Sequence, residues 1–251
     1  MKPLFALLII LPLFSFAQRE VKPSMVNALD LSADGEAKYT ARQDAVARIA
    51  EKLNKGMKEE QLSASEKKTW DESADESGYW DTIGNGCSWY CGRMIDSLFS
   101  SSALKAQGKN TYDARNVHDF SLKTAWVEGA KGYGIGEYVE YVFPADCPRI
   151  TTIIVANGYV KSEQAYRDNS RVKKLKMYLN DKPYAILNLE DRRAQQYFKF
   201  DPIGHGNRSN HDLLMKEGPW TLKFVILEVY KGLKYDDVVI SELYFDGIDV
   251  H

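Results

Sequence analysis

The spacing of apolar positions changes once along the chain, near residue 110. Upstream, Ala45, Ile49 and Leu53 recur four apart with Arg and Lys between them, which predicts a helix over 41–57 with one apolar stripe. Ser63 or Ser65 is placed to cap a second, shorter helix running through Glu66 and Trp70. The acidic run from Asp71 to Glu76 reads as a solvated connector. Downstream the texture is that of strands. Residues 137–143 are aromatic and β-branched and stop at Pro144, and 150–155 is a nearly continuous apolar run closed by Asn157-Gly158. Over 172–179, Leu175, Met177 and Leu179 share one face and Lys174, Lys176 and Tyr178 the other. Alternation returns over 195–201, and 220–230 and 238–245 are two more strand-forming runs. Such runs, punctuated by turn residues and free of long helical patterns, predict an all-β sandwich or barrel.

The first residues alter the picture of where the chain works. Lys2 opens a short basic start, an apolar run spans Leu4 to Phe14, and Ser15-Phe16-Ala17 follows. This is the plan of a signal peptide with cleavage after Ala17. The run is shorter than the ~20 residues a spanning helix needs, and no later stretch suits one. The expected organisation is a leader at 1–17, a small helical and loop segment at 18–85, and the sandwich at 86–251, in a protein secreted or held in the periplasm or on the cell surface. Aromatic residues make up 12% of the chain, enough for a core, and the net charge of −2 gives no reason to expect a nucleic-acid partner.

An oxidising compartment gives the cysteines weight. Cys87 and Cys91, four apart, can close a disulfide, with a zinc site as the sharper alternative; no second close pair and no nearby His completes such a site, so the disulfide is favoured. Cys147 is then a small buried apolar residue, although a bridge from it to either of the others stays open. His118, His205, His211 and His251 have no ligand spacing, and no serine sits in a nucleophile elbow. Nothing here demands an enzyme.

The segment Asp119-Phe-Ser-Leu-Lys-Thr124-Ala-Trp126, followed by Gly132-Tyr-Gly134-Ile-Gly136, is a polar turn before a Trp and then a glycine-rich loop. The loop opens a strand rather than a helix, so it is no phosphate cradle, and its glycines suit a tight turn with positive φ. Asp-x4-Thr-x-Trp resembles the early turn of discoidin-type domains, the coagulation factor five/eight C-type modules with a galactose-binding-like jelly roll. The strings Tyr112 to Asp119, Thr124 to Gly129, Gly134 to Glu137, Asn157 to Ser162 and Asn169 to Lys173 resemble the branch found as the glycan-binding, translocation-associated domain of bacterial NAD glycohydrolases. The likeness runs from about Cys87 to Gly247 and leaves the upstream segment out.

The resemblance implies a sandwich that binds carbohydrate or another surface ligand through loops at one end, in a bacterial protein. It does not imply NAD hydrolysis, because that chemistry belongs to a separate domain and 18–85 is short for one. Sugar recognition needs aromatic faces and aimed polar groups, which makes Tyr133, Tyr159, Tyr166, Asn169, Arg171 and Glu128 the candidates. For each, a loop-anchoring role is the competing reading. Trp126 is expected in the core. The resemblance also implies a structural calcium on Asp119, Thr124 and Glu242, with Phe120 departing from the glycine usual in that turn. A protein-interaction module on the same scaffold is the alternative function, and a hydrolase with its site between the two parts a third.

Overall fold

A computed structural model describes residues 18–250 apart from 75, 85, 93 and 94; the expected leader lies outside the described residues. Helix α1 spans Ala33–Asn54 and α2 spans Ala64–Ser73. α1 begins eight residues before the expected start because Ser32 caps it, its hydroxyl accepting from the Gly35 N–H at 3.0 Å, with Asp34 and Glu36 in the positively polarised first turn. It ends where Gly56 adopts a φ of +97°. Ser63 caps α2 in a reciprocal box with Glu66. The acidic run is not a connector throughout: Glu72 and Glu76 both reach Arg42 of α1, so it ties the two helices together.

Among the described residues there are eleven strands, two before these helices and nine after them. β1 (Glu20–Val21) and β2 (Met25–Ala28) precede α1; β3 (Ser97–Ser100) and β4 (Trp126–Val127) follow α2. Next come β5 (Tyr138–Phe143), β6 (Ile150–Asn157), short helix α3 (Glu163–Asp168), β7 (Ser170–Leu179), β8 (Lys182–Asn188) and β9 (Ala194–Ile203). Helix α4 (His211–Lys216), β10 (Trp220–Tyr230) and β11 (Val238–Gly247) complete the chain. One layer runs β2–β9–β6–β11, with β4 also on β11. The other runs β3–β5–β10–β7–β8–β1. The first two residues of β11, Val238 and Val239, pair in parallel with Ser170 and Arg171 of β7 and so join the layers. The fold is the expected all-β jelly-roll sandwich with a helical segment ahead of it.

Strand faces follow the sequence alternation. Val139, Tyr141 and Phe143 of β5, Leu175 and Met177 of β7 and Leu222, Phe224 and Ile226 of β10 point inward and are fully buried. The Phe143 and Trp220 rings stack at 4.2 Å, and Phe245 closes edge-on against Phe143 and Tyr141. Trp126 is also fully buried, its indole N–H donating to the Ser102 carbonyl at 2.9 Å. The β7–β8 hairpin turns on Asn180 and Asp181, both left-handed, which suits a two-residue turn matched to strand twist.

The upstream segment does more than its helical pattern suggests. β1 lies parallel on β8 and β2 antiparallel on β9, so one short stretch extends both layers. Leu29, Leu31 and Trp80 pack over Ala156, Leu122 and Val160 on the outer side of the first layer. The Tyr79 hydroxyl donates to the carbonyls of Asp30 and Ser32.

The helical pair has little apolar burial, Ile49 being the fully buried side chain of its stripe, so its ion pairs carry weight. The Lys52 ammonium and then the Ser63 hydroxyl hold the Glu66 carboxyl down to about 2. A carboxyl lowered by folding stabilises above its usual titration and ceases to do so as pH falls toward its folded value. Far-UV circular dichroism should therefore show helical signal fading between pH 4.5 and about 2. Glu66→Gln should flatten that part of the curve; an unchanged titration would remove Glu66 from the account.

Candidate functional site

Three connections meet at one end of the sandwich: the loop before β4, the β6–β7 connection bearing α3, and the β10–β11 loop. They enclose a cleft of about 360 Å³. Tyr112 stands on one wall, fixed by the Val127 N–H donating to its carbonyl, while Asn116 ties the neighbouring Thr111 carbonyl at 2.6 Å. Ser162 caps α3 through the Ala165 N–H, which sets Tyr159, Lys161 and Asn169 around that short helix. The β10–β11 loop is pinned in turn: the Lys234 and Tyr235 N–H groups donate to the Asp168 carbonyl, and the Ser170 hydroxyl donates to the Tyr235 carbonyl at 3.0 Å. Each wall is thus held by backbone hydrogen bonds rather than left as free loop.

The lining combines aromatic and polar groups. Tyr112, Tyr159 and Tyr235 supply rings; Asp168, Asn169 and Asp237 supply hydrogen-bonding groups. Burial, and then the neighbouring Asp236, raise the Asp237 carboxyl above its usual range. The Lys161 ammonium lies 4.2 Å from the Tyr159 ring centroid and donates to its hydroxyl at 2.8 Å. Cations cover other tyrosines of this end too: Lys231 over Tyr133, Arg171 over Tyr166 and Lys234 over Tyr235.

Of the six residues expected to meet a sugar, Tyr159 and Asn169 line this cleft. Three others are engaged within the fold. Glu128 is fully buried beneath Gly134, which takes a φ of +55° there, and its carboxylate accepts from the N–H groups of Ala130 and Val238. Arg171 is buried and committed to Asp191 through a two-pronged pair at 2.9 and 2.8 Å. Tyr166 donates its hydroxyl to the same carboxylate, and its ring lies against Gly158 at a φ of +80°. All three brace the loops, and Tyr166 and Arg171 also line a second cleft beside α3 with Asp191 and Lys231. Tyr133 stands apart from the cleft, half-buried under Lys231. Tyr112, Lys161, Asp168, Tyr235 and Asp237 were missed. Tyr235, an aromatic in the polar run Lys231-Gly-Leu-Lys-Tyr-Asp-Asp between two strands, was the readable signal among them.

The second set of candidates converges in the turn after residue 118. The Thr124 hydroxyl donates to both Asp119 oxygens, and the Ser121 N–H lies 3.0 Å from Asp119 Oδ1 and 2.8 Å from Glu242 Oε1. Phe120, the expected departure in this turn, takes a φ of +63°, and its ring is held 4.8 Å from Tyr90. Glu242 is buried, and burial and the nearby Asp119 carboxylate raise its carboxyl well above the usual range; among the described residues its Oε2 has no hydrogen-bond partner. No cluster of three or more His, Cys, Asp or Glu suited to a metal occurs among the described residues. Two carboxylates and a hydroxyl with an orphaned buried oxygen nonetheless fit a hard cation in donor type, and backbone carbonyls would have to supply the rest of its shell. The Cys87 and Cys91 sulfurs lie 3.7 Å apart, a contact rather than the expected bond of about 2.05 Å, and Cys147 is buried in the core as expected.

Residues 89–246 match the family model described as the NAD glycohydrolase translocation F5/8 type C domain. No curated protein matches. Among solved structures, the CBM32-1 and CBM32-2 domains of ZmpB from Clostridium perfringens are similar at 14% identity and a TM-score of 0.43, over 61% of this chain and 34% of that one. This chain therefore spans about a third of that structure's length. CpGH89CBM32-5 from Clostridium perfringens, in complex with GalNAc-beta-1,3-galactose, is similar at 14% identity and a TM-score of 0.42, over 60% and 94%. The family 32 carbohydrate-binding module of Streptococcus pneumoniae EndoD is similar at 10% identity and a TM-score of 0.41, over 61% and 98%.

Arg171→Ala should act on the scaffold. Removing the buried member of a two-pronged pair strands Asp191 and Tyr166, and with Asp191 partly open to solvent the expected loss is about 2–3 kcal/mol by denaturant titration. A loss under about 0.5 kcal/mol, the range of ordinary surface changes, would show that Arg171 is dispensable to the loops.

Proposed function

The chain belongs to the NAD glycohydrolase translocation F5/8 type C domain family, and on that premise we propose that it is an exported, non-catalytic protein that binds carbohydrate in the loop-end cleft. The observation that carries this reading is the cleft itself. It is preformed, lined by Tyr112, Tyr159 and Tyr235, and supplied with Asp168, Asn169 and Asp237 as partners for hydroxyl groups. Tyr159, 8% exposed, forms the floor of the cleft with Tyr112, and Lys161, which covers its ring, is the donor a ligand hydroxyl meets first. The leader-like first seventeen residues support export, and no helix among the described residues is long and apolar enough to cross a membrane.

A protein partner is the second reading. It is favoured by Leu233, 79% exposed, and Ile135, 58% exposed, on the β10–β11 and β4–β5 loops. A calcium ion held by Asp119, Thr124 and Glu242 is also part of the proposal. Its charge would offset the two facing carboxylates and brace the turn between the upstream segment around Trp80 and β11.

A glycan array with the chain from Gln18 onward tests the first reading. Selective binding is expected, weakened roughly tenfold, about 1.4 kcal/mol, by Tyr159→Ala. Affinity should fall as pH drops through the raised titration of Asp237, since the protonated carboxyl loses acceptor strength. A folded protein that binds no glycan would transfer the assignment to a protein partner. Calcium should raise the Tm of the wild type and leave Glu242→Gln unmoved; no shift in the wild type would dismiss the ion.

A further inference from the structure

The segment Cys87-Ser-Trp-Tyr-Cys91 sets two thiols on either side of the aromatic pair that anchors this segment in the core. Both cysteines are exposed, and a 3-10 turn over Trp89–Cys91 brings their sulfurs to 3.7 Å. The Ser88 N–H points at the Cys91 sulfur from 3.3 Å. Trp89 is 2% exposed, donates to the Arg149 carbonyl and meets Phe245 edge-on. The Tyr90 hydroxyl accepts the Phe245 N–H at 2.8 Å, and its ring touches Phe120 and His118.

We propose that Cys87 and Cys91 form an exchangeable dithiol site that reacts with low-molecular-weight disulfides, Cys91 attacking first and Cys87 resolving. The Cys91 thiolate attacks one sulfur of the small disulfide. A protein–small-molecule disulfide forms, and one small thiolate leaves. The Cys87 thiolate then attacks the Cys91 sulfur, forming the Cys87–Cys91 bond and expelling the second small thiolate. Two protein thiols are oxidised, one external disulfide is reduced to two thiols, and the two protein protons pass through solvent to the leaving thiolates. The order follows from geometry: the Ser88 N–H faces the Cys91 sulfur and stabilises negative charge there, and the Cys91 thiol is lowered by that contact first and by Cys87 second. Closing so short a ring constrains the unfolded chain little, which suits a bond that opens again. Its local effect is to lock the turn that positions Trp89 and Tyr90. Cys147, buried in the core, is outside the exchange.

The test is to incubate the folded chain with oxidised glutathione, quench with an alkylating reagent, and map the products by mass. The wild type should give the Cys87–Cys91 bond, with Cys147 alkylated only after unfolding. Cys87→Ser should accumulate the glutathione adduct on Cys91, several-fold faster than Cys91→Ser forms one on Cys87. Reversed or equal rates would overturn the order of attack. A wild type that stops at the mixed disulfide, or bridges through Cys147, would overturn the site.

Discussion

β11 is the constraint on which the rest of the molecule depends. Every residue from Val238 to Phe245 is buried, because the strand has packed structure on both faces and pairing partners in both layers. Its start joins β7 to the first layer; its middle places Glu242 beneath the Asp119 turn; its end presents Phe245 to the aromatic stack. The cleft inherits its position from the same strand, since the loop carrying Tyr235 and Asp237 runs directly into Val238.

Much of this was legible in the residues themselves. Alternation over 174–179 and the strand-forming run at 220–230 announced strands, and a capping Ser63 or Ser65 announced α2. What escaped detection were elements made by partnership. β1 and β2 are too short to show a period and exist because the edges of β8 and β9 accept them. β8 was hidden although Asn180-Asp181 is a good hairpin signal, since Pro183 at its start obscures the strand pattern.

The site was legible in its location and less so in its membership. Aromatic and polar residues of the right loops were singled out, but chemistry alone does not tell an outward ligand contact from an inward brace. Glu128 and Arg171 have the side chains a sugar site wants, yet each answers buried backbone or carboxylate needs first. Conversely, Asp168 and Asp237 look like ordinary turn acids until α3 and the β10–β11 loop are folded against each other.

The strands before α1 have a consequence for how such a module travels between proteins. The stretch that carries the family likeness, 89–246, is smaller than the unit that is hydrogen-bonded as a whole. A gene rearrangement transplanting only that stretch would arrive with two raw rows of peptide groups, one on each layer, ready to pair with any passing strand. Moved together with residues 18–88, the module carries its own selvedge and can be set down beside an unrelated neighbour without adhering to it.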